Sequence, residues 1–123
     1  MIAGPSTGET PGKDWTVEGN AALVQGNYSG AVFYFDKAIQ ENRLGRATKI
    51  DPQISLAWTN KGYLLANMGR YEETLQSFDA ATAHDPESIT AWMGRVTVLK
   101  ILYIDDEAEA AQDKVDALGR AGE

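Results

Sequence analysis

Cysteine is absent from this 123-residue chain, which excludes disulfides and thiolate metal sites and leaves the redox compartment unmarked. Basic residues are scarce. Eleven Lys and Arg stand against 18 Asp and Glu, a net charge of −7. Nucleic acid and anionic membrane surfaces both need a basic footprint, so neither is an expected partner. No apolar run approaches the ~18 residues of a membrane span. The opening MIAGPSTGETPG has no apolar core long enough for a signal peptide. Histidine occurs once, as His84. It falls at the end of an expected helix, where the dipole favours it. Zincin, Walker and Rossmann signatures are all missing, as is any Cys/His cluster. The acidic run Asp105, Asp106, Glu107 lacks the alternating ligand spacing of a calcium loop and suits a helix start. No catalytic, cofactor-binding or metal-ligating residue is therefore expected, and the chain is expected not to be an enzyme.

What is present is an ordinary globular composition, 43% apolar and 24% charged, at a length that makes one domain. Residues 1–12, rich in Gly, Pro, Ser and Thr, are expected to be a flexible leader or linker. If the chain is complete, a cytoplasmic location is expected. From Asp105 to Glu123 seven acidic residues meet two basic ones, which suits a well-solvated end of the molecule.

The tryptophans reveal an internal repeat. Trp15, Trp58 and Trp92 stand 43 and 34 residues apart, and each opens a stretch with helical apolar spacing. Aligned on the first two, Gly19 matches Gly62, Gly26 matches Gly69, Tyr28 matches Tyr71, Phe35 matches Phe78 and Ala38 matches Ala81. Gly19 and Gly62 fall mid-helix, where glycine costs roughly 1 kcal/mol against alanine, a sacrifice that makes sense only if a neighbour approaches closely. Gly26 and Gly69 are placed to end a helix in the left-handed conformation. Phe35, Ala38, Phe78 and Ala81 form a large-beside-small stripe suited to helix packing. Pro52 and Pro86 punctuate the units. In the third unit Val96 replaces the mid-helix glycine, Tyr103 the capping glycine and Gln112 the phenylalanine.

This pattern resembles the tetratricopeptide repeat family, a 34-residue helix–turn–helix with W, L-G, Y, A, F and P landmarks. The resemblance covers about residues 13–119. It implies an all-α fold, a solenoid of about three stacked antiparallel helical hairpins in one domain, 13–123. The units are expected near 13–52, 53–86 and 87–119, with helices near 13–26, 29–43, 53–68, 71–84, 87–103 and 105–119. The third unit is degenerate, as a terminal repeat should be to stay soluble, and its last helix is expected to pack through Ala108, Ala111, Val115 and Leu118. Phe35, Phe78 and the three tryptophans are expected to be largely buried.

The family implies a non-enzymatic protein–protein interaction module, with a protein or peptide partner in a concave groove lined by the first helix of each hairpin. By registration the lining is Asn20, Leu23 and Val24 from the first unit, flanked by Lys13 and Thr16. The second unit supplies Thr59, Asn60, Tyr63 and Asn67, with Leu56 and Ala66 beside them. The third supplies Met93, Thr97 and Lys100, with Thr90 and Ile101. Chaperone-docking members of the family grip a carboxylate with two asparagines and several basic side chains. Asn20 and Asn60 match the asparagines, but Thr16, Thr90 and Gly94 stand where basic residues are needed, so the carboxylate clamp is disfavoured. A rival to the groove reading is self-assembly through the apolar stretch Ile101, Leu102, Tyr103, Ile104.

The first interval is long because nine residues, Gln40 to Thr48, are inserted. Nine helical residues turn the chain by about 900°, half a turn out of phase. Either the insert loops out near Gly45, the preferred reading, or the helix runs on and the second repeat packs elsewhere, against another copy of the chain. Arg43, Arg46 and Lys49 around the insert form a candidate secondary contact.

Overall fold

The computed structural model describes residues 14–45 and 52–122, with the side chains of 42–45, 52 and 53 excepted. Every regular element among them is helical: α1 (Trp15–Val24), α2 (Tyr28–Gly45), α3 (Pro52–Asn67), α4 (Tyr71–His84), α5 (Ile89–Ile101) and α6 (Asp105–Ala121). None of these helices is long and apolar enough to cross a membrane. They pair as the hairpins α1–α2, α3–α4 and α5–α6. Neighbouring hairpins then stack, α2 on α3 and α4 on α5, and α3 also touches α5.

The three hairpin turns are built alike. In each, an amide reaches back five residues to close the helix: Asn27 to Ala22 O, Arg70 to Leu65 O and Ile104 to Leu99 O, all at 2.9 Å. This Schellman closure needs a left-handed residue one position earlier. Gly26 and Gly69 supply it at φ of 78° and 77°. The third hairpin keeps the same turn without glycine, with Tyr103 held at φ 60°.

Two phenylalanines wedge the hairpins together. Phe35 and Phe78 are 0% and 1% exposed. A Cβ on Gly19 would lie 2.5 Å from the Phe35 ring, and one on Gly62 2.9 Å from Phe78, so both glycines exist to let a ring in. Gly94 has the same task from the next hairpin, since its Cβ would come within 2.5 Å of Phe78. Phe78 thus sits between the glycines of two successive hairpins. In the third hairpin Gln112 replaces the ring and is exposed, and Val96 fills the vacated space against Ala108, Ala111 and Leu99. Val115 packs on this cluster and Leu118 is half-buried.

The polar residues buried in α4 are satisfied locally. Thr74, Ser77 and Thr82 donate to the carbonyls of Arg70, Glu73 and Phe78, four residues back, at 2.8–3.1 Å. Ion pairs recur with the repeat: Lys61 to Asp36 at 2.6 Å and Arg95 to Asp79 at 2.7 Å, each joining a first helix to the preceding hairpin. The same two cations lie 5.4 Å and 5.3 Å over the Trp58 and Trp92 rings.

One expectation needs correction. Trp15 is buried, but Trp58 and Trp92 are only half-buried. The insert begins as helix, in keeping with the helix expected near 29–43. Helix α2 runs through Gly45, so six of the nine inserted residues extend it, and Arg46–Thr48 lie outside the described residues. The extension gains a contact of its own, with the Trp15 indole donating to Glu41 Oε2 at 2.7 Å. The second hairpin packs on the first. Ile39 meets Ile54 and Ala57, and Leu64 joins Ala22, Ala31 and Phe35, all within one chain.

Candidate partner-binding face

Helices α1, α3 and α5 lie side by side and leave one face of the array uncovered. The order is set by the stacking, because α2 packs between α1 and α3, and α4 between α3 and α5. Two hydrogen bonds stitch this face across the hairpins. Asn60 Nδ2 donates to Asn20 Oδ1 at 3.0 Å, linking α3 to α1, and the Tyr63 hydroxyl donates to Thr90 O at 3.2 Å, linking α3 to α5. Burial raises the Tyr63 phenol above its ordinary value of 10.0, so it remains a neutral donor at physiological pH.

Most residues registered to the face reach its surface. Asn20, Val24, Tyr63, Asn67, Met93, Thr97 and Lys100 are exposed, as are Leu56, Thr90 and Ile101. Asn60 and Ala66 are half-buried. Lys100 is the one exposed cation among these described positions, so the face is mostly neutral.

Three of the registered residues do something else. Thr59 is only 3% exposed, and its hydroxyl is spent on Ser55 O at 2.8 Å, so it supports α3 from within. Leu23 leans onto the Ala22, Phe35 and Leu64 cluster and belongs with the core. The Thr97 hydroxyl, though exposed, bonds back to Met93 O at 3.1 Å. Conversely, Val17 is exposed on α1, three residues before Asn20, and registration had passed it over. Its counterparts after the other tryptophans, Asn60 and Gly94, are half-buried and buried, so registration does not signal its exposure. Of the secondary contact, Arg43 lies on the α2 extension, and Arg46 and Lys49 lie outside the described residues, as does Lys13.

At one margin the face deepens into a hollow of about 280 Å³ between α3 and the entrance to α5. Ser55, Leu56, Thr59, Asn60 and Tyr63 line it from α3, and Asp85, Ser88 and Thr90 from the loop and first turn of α5. Ser88 caps that helix, its hydroxyl accepting from Ala91 N at 3.2 Å. No group of three or more His, Cys, Asp or Glu that could hold a metal ion occurs among the described residues.

Stacked hairpins with glycine-seated phenylalanine wedges and an open face of first helices define the class: an α-helical repeat protein of the solenoid type. Comparison with known proteins agrees. Residues 44–76, spanning α3 and the start of α4, match the family model of the tetratricopeptide repeat. Similar solved structures are the second tetratricopeptide domain of Spaghetti (RPAP3) bound to the HSP90 peptide SRMEEVD, the domain of Arabidopsis OM64, and that of Sgt2 from Aspergillus fumigatus. The Spaghetti domain has TM-score 0.70 and 20% identity over 85% of this chain and 88% of that one. The OM64 domain has TM-score 0.70 and 20% identity over 85% and 78%. The Sgt2 domain has TM-score 0.71 and 24% identity over 94% and 72%. A search of curated proteins returned no significant match. Residues 44–76 thus match a tetratricopeptide repeat, and the fold of the described residues is that of tetratricopeptide repeat domains.

Proposed function

We propose that this protein is a non-enzymatic interaction module that holds an extended peptide or protein segment against the face of α1, α3 and α5. The observation that carries this reading is the run of exposed apolar side chains on those three helices. Val17, Val24, Leu56, Tyr63, Met93 and Ile101 stand at the surface, interleaved with Asn20, Asn60 and Asn67. Side chains of that size gain free energy by leaving water, at roughly 25 cal/mol per Å² buried. The asparagines can fix the backbone of an extended chain with paired donors and acceptors.

The tetratricopeptide domain of Spaghetti holds a peptide ending in an acidic tail. The same ligand does not suit this face. Thr16 and Thr90 are neutral, Gly94 is buried under Phe78, and Asn20 and Asn60 bond each other. Charge-assisted contacts supply most of the grip on a carboxylate, so acidic carboxy-terminal peptides should bind weakly or not at all. Micromolar binding by calorimetry at physiological salt would contradict this.

The face itself is tested by selecting peptides from a displayed library and measuring their affinity by calorimetry. Leu56→Arg with Met93→Arg alters two half-exposed residues and should abolish binding, whereas Asp113→Asn on exposed α6 should leave it intact. Binding that survives the double variant would remove the face from consideration. Sedimentation at several concentrations, with and without peptide, separates this reading from self-assembly.

A further inference from the structure

The hollow beside α5 has an unusual hydrogen-bonding inventory, because its donors are largely consumed within the protein. Ser55 Oγ donates to Ala81 O at 2.8 Å, and Thr59 Oγ1 to Ser55 O at 2.8 Å. The Tyr63 hydroxyl donates to Thr90 O, and Asn60 Nδ2 to Asn20. A hydroxyl that has given its proton still offers lone pairs, and a primary amide whose nitrogen is engaged still offers its oxygen. What these residues have left is therefore chiefly acceptor capacity.

Asp85 adds a formal charge. One of its oxygens accepts from Glu87 N at 3.1 Å, and the carboxylate forms no ion pair among the described residues. Among the described residues no lysine, arginine or histidine lines the hollow. An anion entering it would meet the Asp85 carboxylate, with only the Ser88 and Thr90 hydroxyls and one Asn60 N–H left to donate. A neutral apolar group would desolvate them without return. Only a group that is positive and rich in N–H donors satisfies the set, and the half-exposed Tyr63 ring favours such a cation further. A divalent metal needs six or more oxygens and usually several carboxylates, and here there is one. The volume, on the order of nine waters at ~30 Å³ each, suits the end of one side chain rather than a folded segment.

We infer that this hollow is the specificity pocket of the face and takes an ammonium or guanidinium group of the bound peptide. The inference rests on the peptide-binding reading above, but it is tested separately. Blocked pentapeptides of sequence Ala-Leu-X-Leu-Ala, with X lysine, arginine, norleucine or glutamate, are titrated into ¹⁵N-labelled protein. A fifth probe, the norleucine peptide with a free amino terminus, carries the other source of the same cation.

The lysine or arginine peptide, or the unblocked one, should shift the amides of Asn60, Ser88 and Thr90 and bind about tenfold tighter than blocked norleucine. One charge-assisted contact of about 1.4 kcal/mol corresponds to that ratio. Whichever probe leads identifies the source of the cation. Asp85→Asn can still accept from Glu87 N, so the loop should hold, and the preference should fall to near unity. Equal affinity for norleucine and lysine would overturn the inference while leaving the face reading intact. Tightest binding by the glutamate peptide, or no shift at the hollow with any probe, would also overturn it. Failure of the face reading shows differently, as binding indifferent to Leu56→Arg with Met93→Arg.

Discussion

At the scale of single residues, what decides the fold is whether a ring fits over a glycine. Phe78 is 1% exposed and touches the space above both Gly62 and Gly94. Phe78→Ala should therefore cost about 3–5 kcal/mol, read from urea unfolding, because the cavity opens between two hairpins that cannot both collapse into it. A loss below 1 kcal/mol would show that Phe78 is not the wedge. Gly94→Ala forces a methyl to within 2.5 Å of a fully enclosed ring, and should destabilise by about 1–3 kcal/mol. The opposite sign is expected at Tyr103. Its side chain is 87% exposed and its backbone is at φ 60°, a conformation that costs an L-residue roughly 1–2 kcal/mol. Tyr103→Gly should raise the unfolding midpoint, by a net of about 1 kcal/mol or less once the entropy of glycine is subtracted. A lower midpoint would mean that the tyrosine side chain makes up for its backbone.

Among the elements, α2 departs most from the repeat. A chain inserted as a loop can be removed at a cost of only a few tenths of a kcal/mol. Here Gln40–Gly45 are helical, and Glu41 accepts from the Trp15 indole, tying the far end of α2 to the first turn of α1. Deleting Gln40 to Thr48 should consequently lower stability rather than leave it unchanged. Glu41→Ala isolates the contact, and thermal unfolding should register a loss of about 1–2 kcal/mol, the usual figure for a part-buried bond to a charged group. An unchanged midpoint would place the insert's role elsewhere. The ion pairs between hairpins should contribute less. Asp36 and Asp79 are about half exposed, so solvent screens Lys61–Asp36 and Arg95–Asp79 to the level of surface pairs. They set which faces meet more than how tightly.

For the whole molecule the third hairpin is the one that differs from the others. Asp113 stands 34 residues after Asp79, where a further first helix would place a cation, but Gln112 stands where the wedge should be. Helix α6 instead shows water Glu109, Ala110, Gln112, Asp113 and Asp116, while Ala108, Ala111 and Val115 cover Val96 and Leu99. Removing residues 105–123 should expose that cluster. The truncated chain is expected to unfold at lower temperature and to aggregate on size exclusion, as repeat arrays do without a polar terminus. A soluble, equally stable remnant would show that α6 is dispensable.

The sequence alone determined the hairpins, their order and their seams. Glycine, aromatic and alanine positions recurring at a fixed interval specify helix ends and packing stripes through local sterics, which need no knowledge of the partner helix. Most of the open face was legible for the same reason, since registration carries one helix's exposed side to the next. Burial was not, because it depends on which atoms of another hairpin arrive. Thr59 and Leu23 turned inward and Val17 outward on that account. The glycine that seats Phe78 from the following hairpin, Gly94, looked like a groove position until the ring was seen against it. The course of α2 was also beyond the sequence. Whether six inserted residues loop or extend a helix depends on a tertiary partner, and the Glu41 carboxylate found a donor in the Trp15 indole. The hollow was least legible of all, because its acceptor character emerges only when four separate donors are seen to be used up across helices.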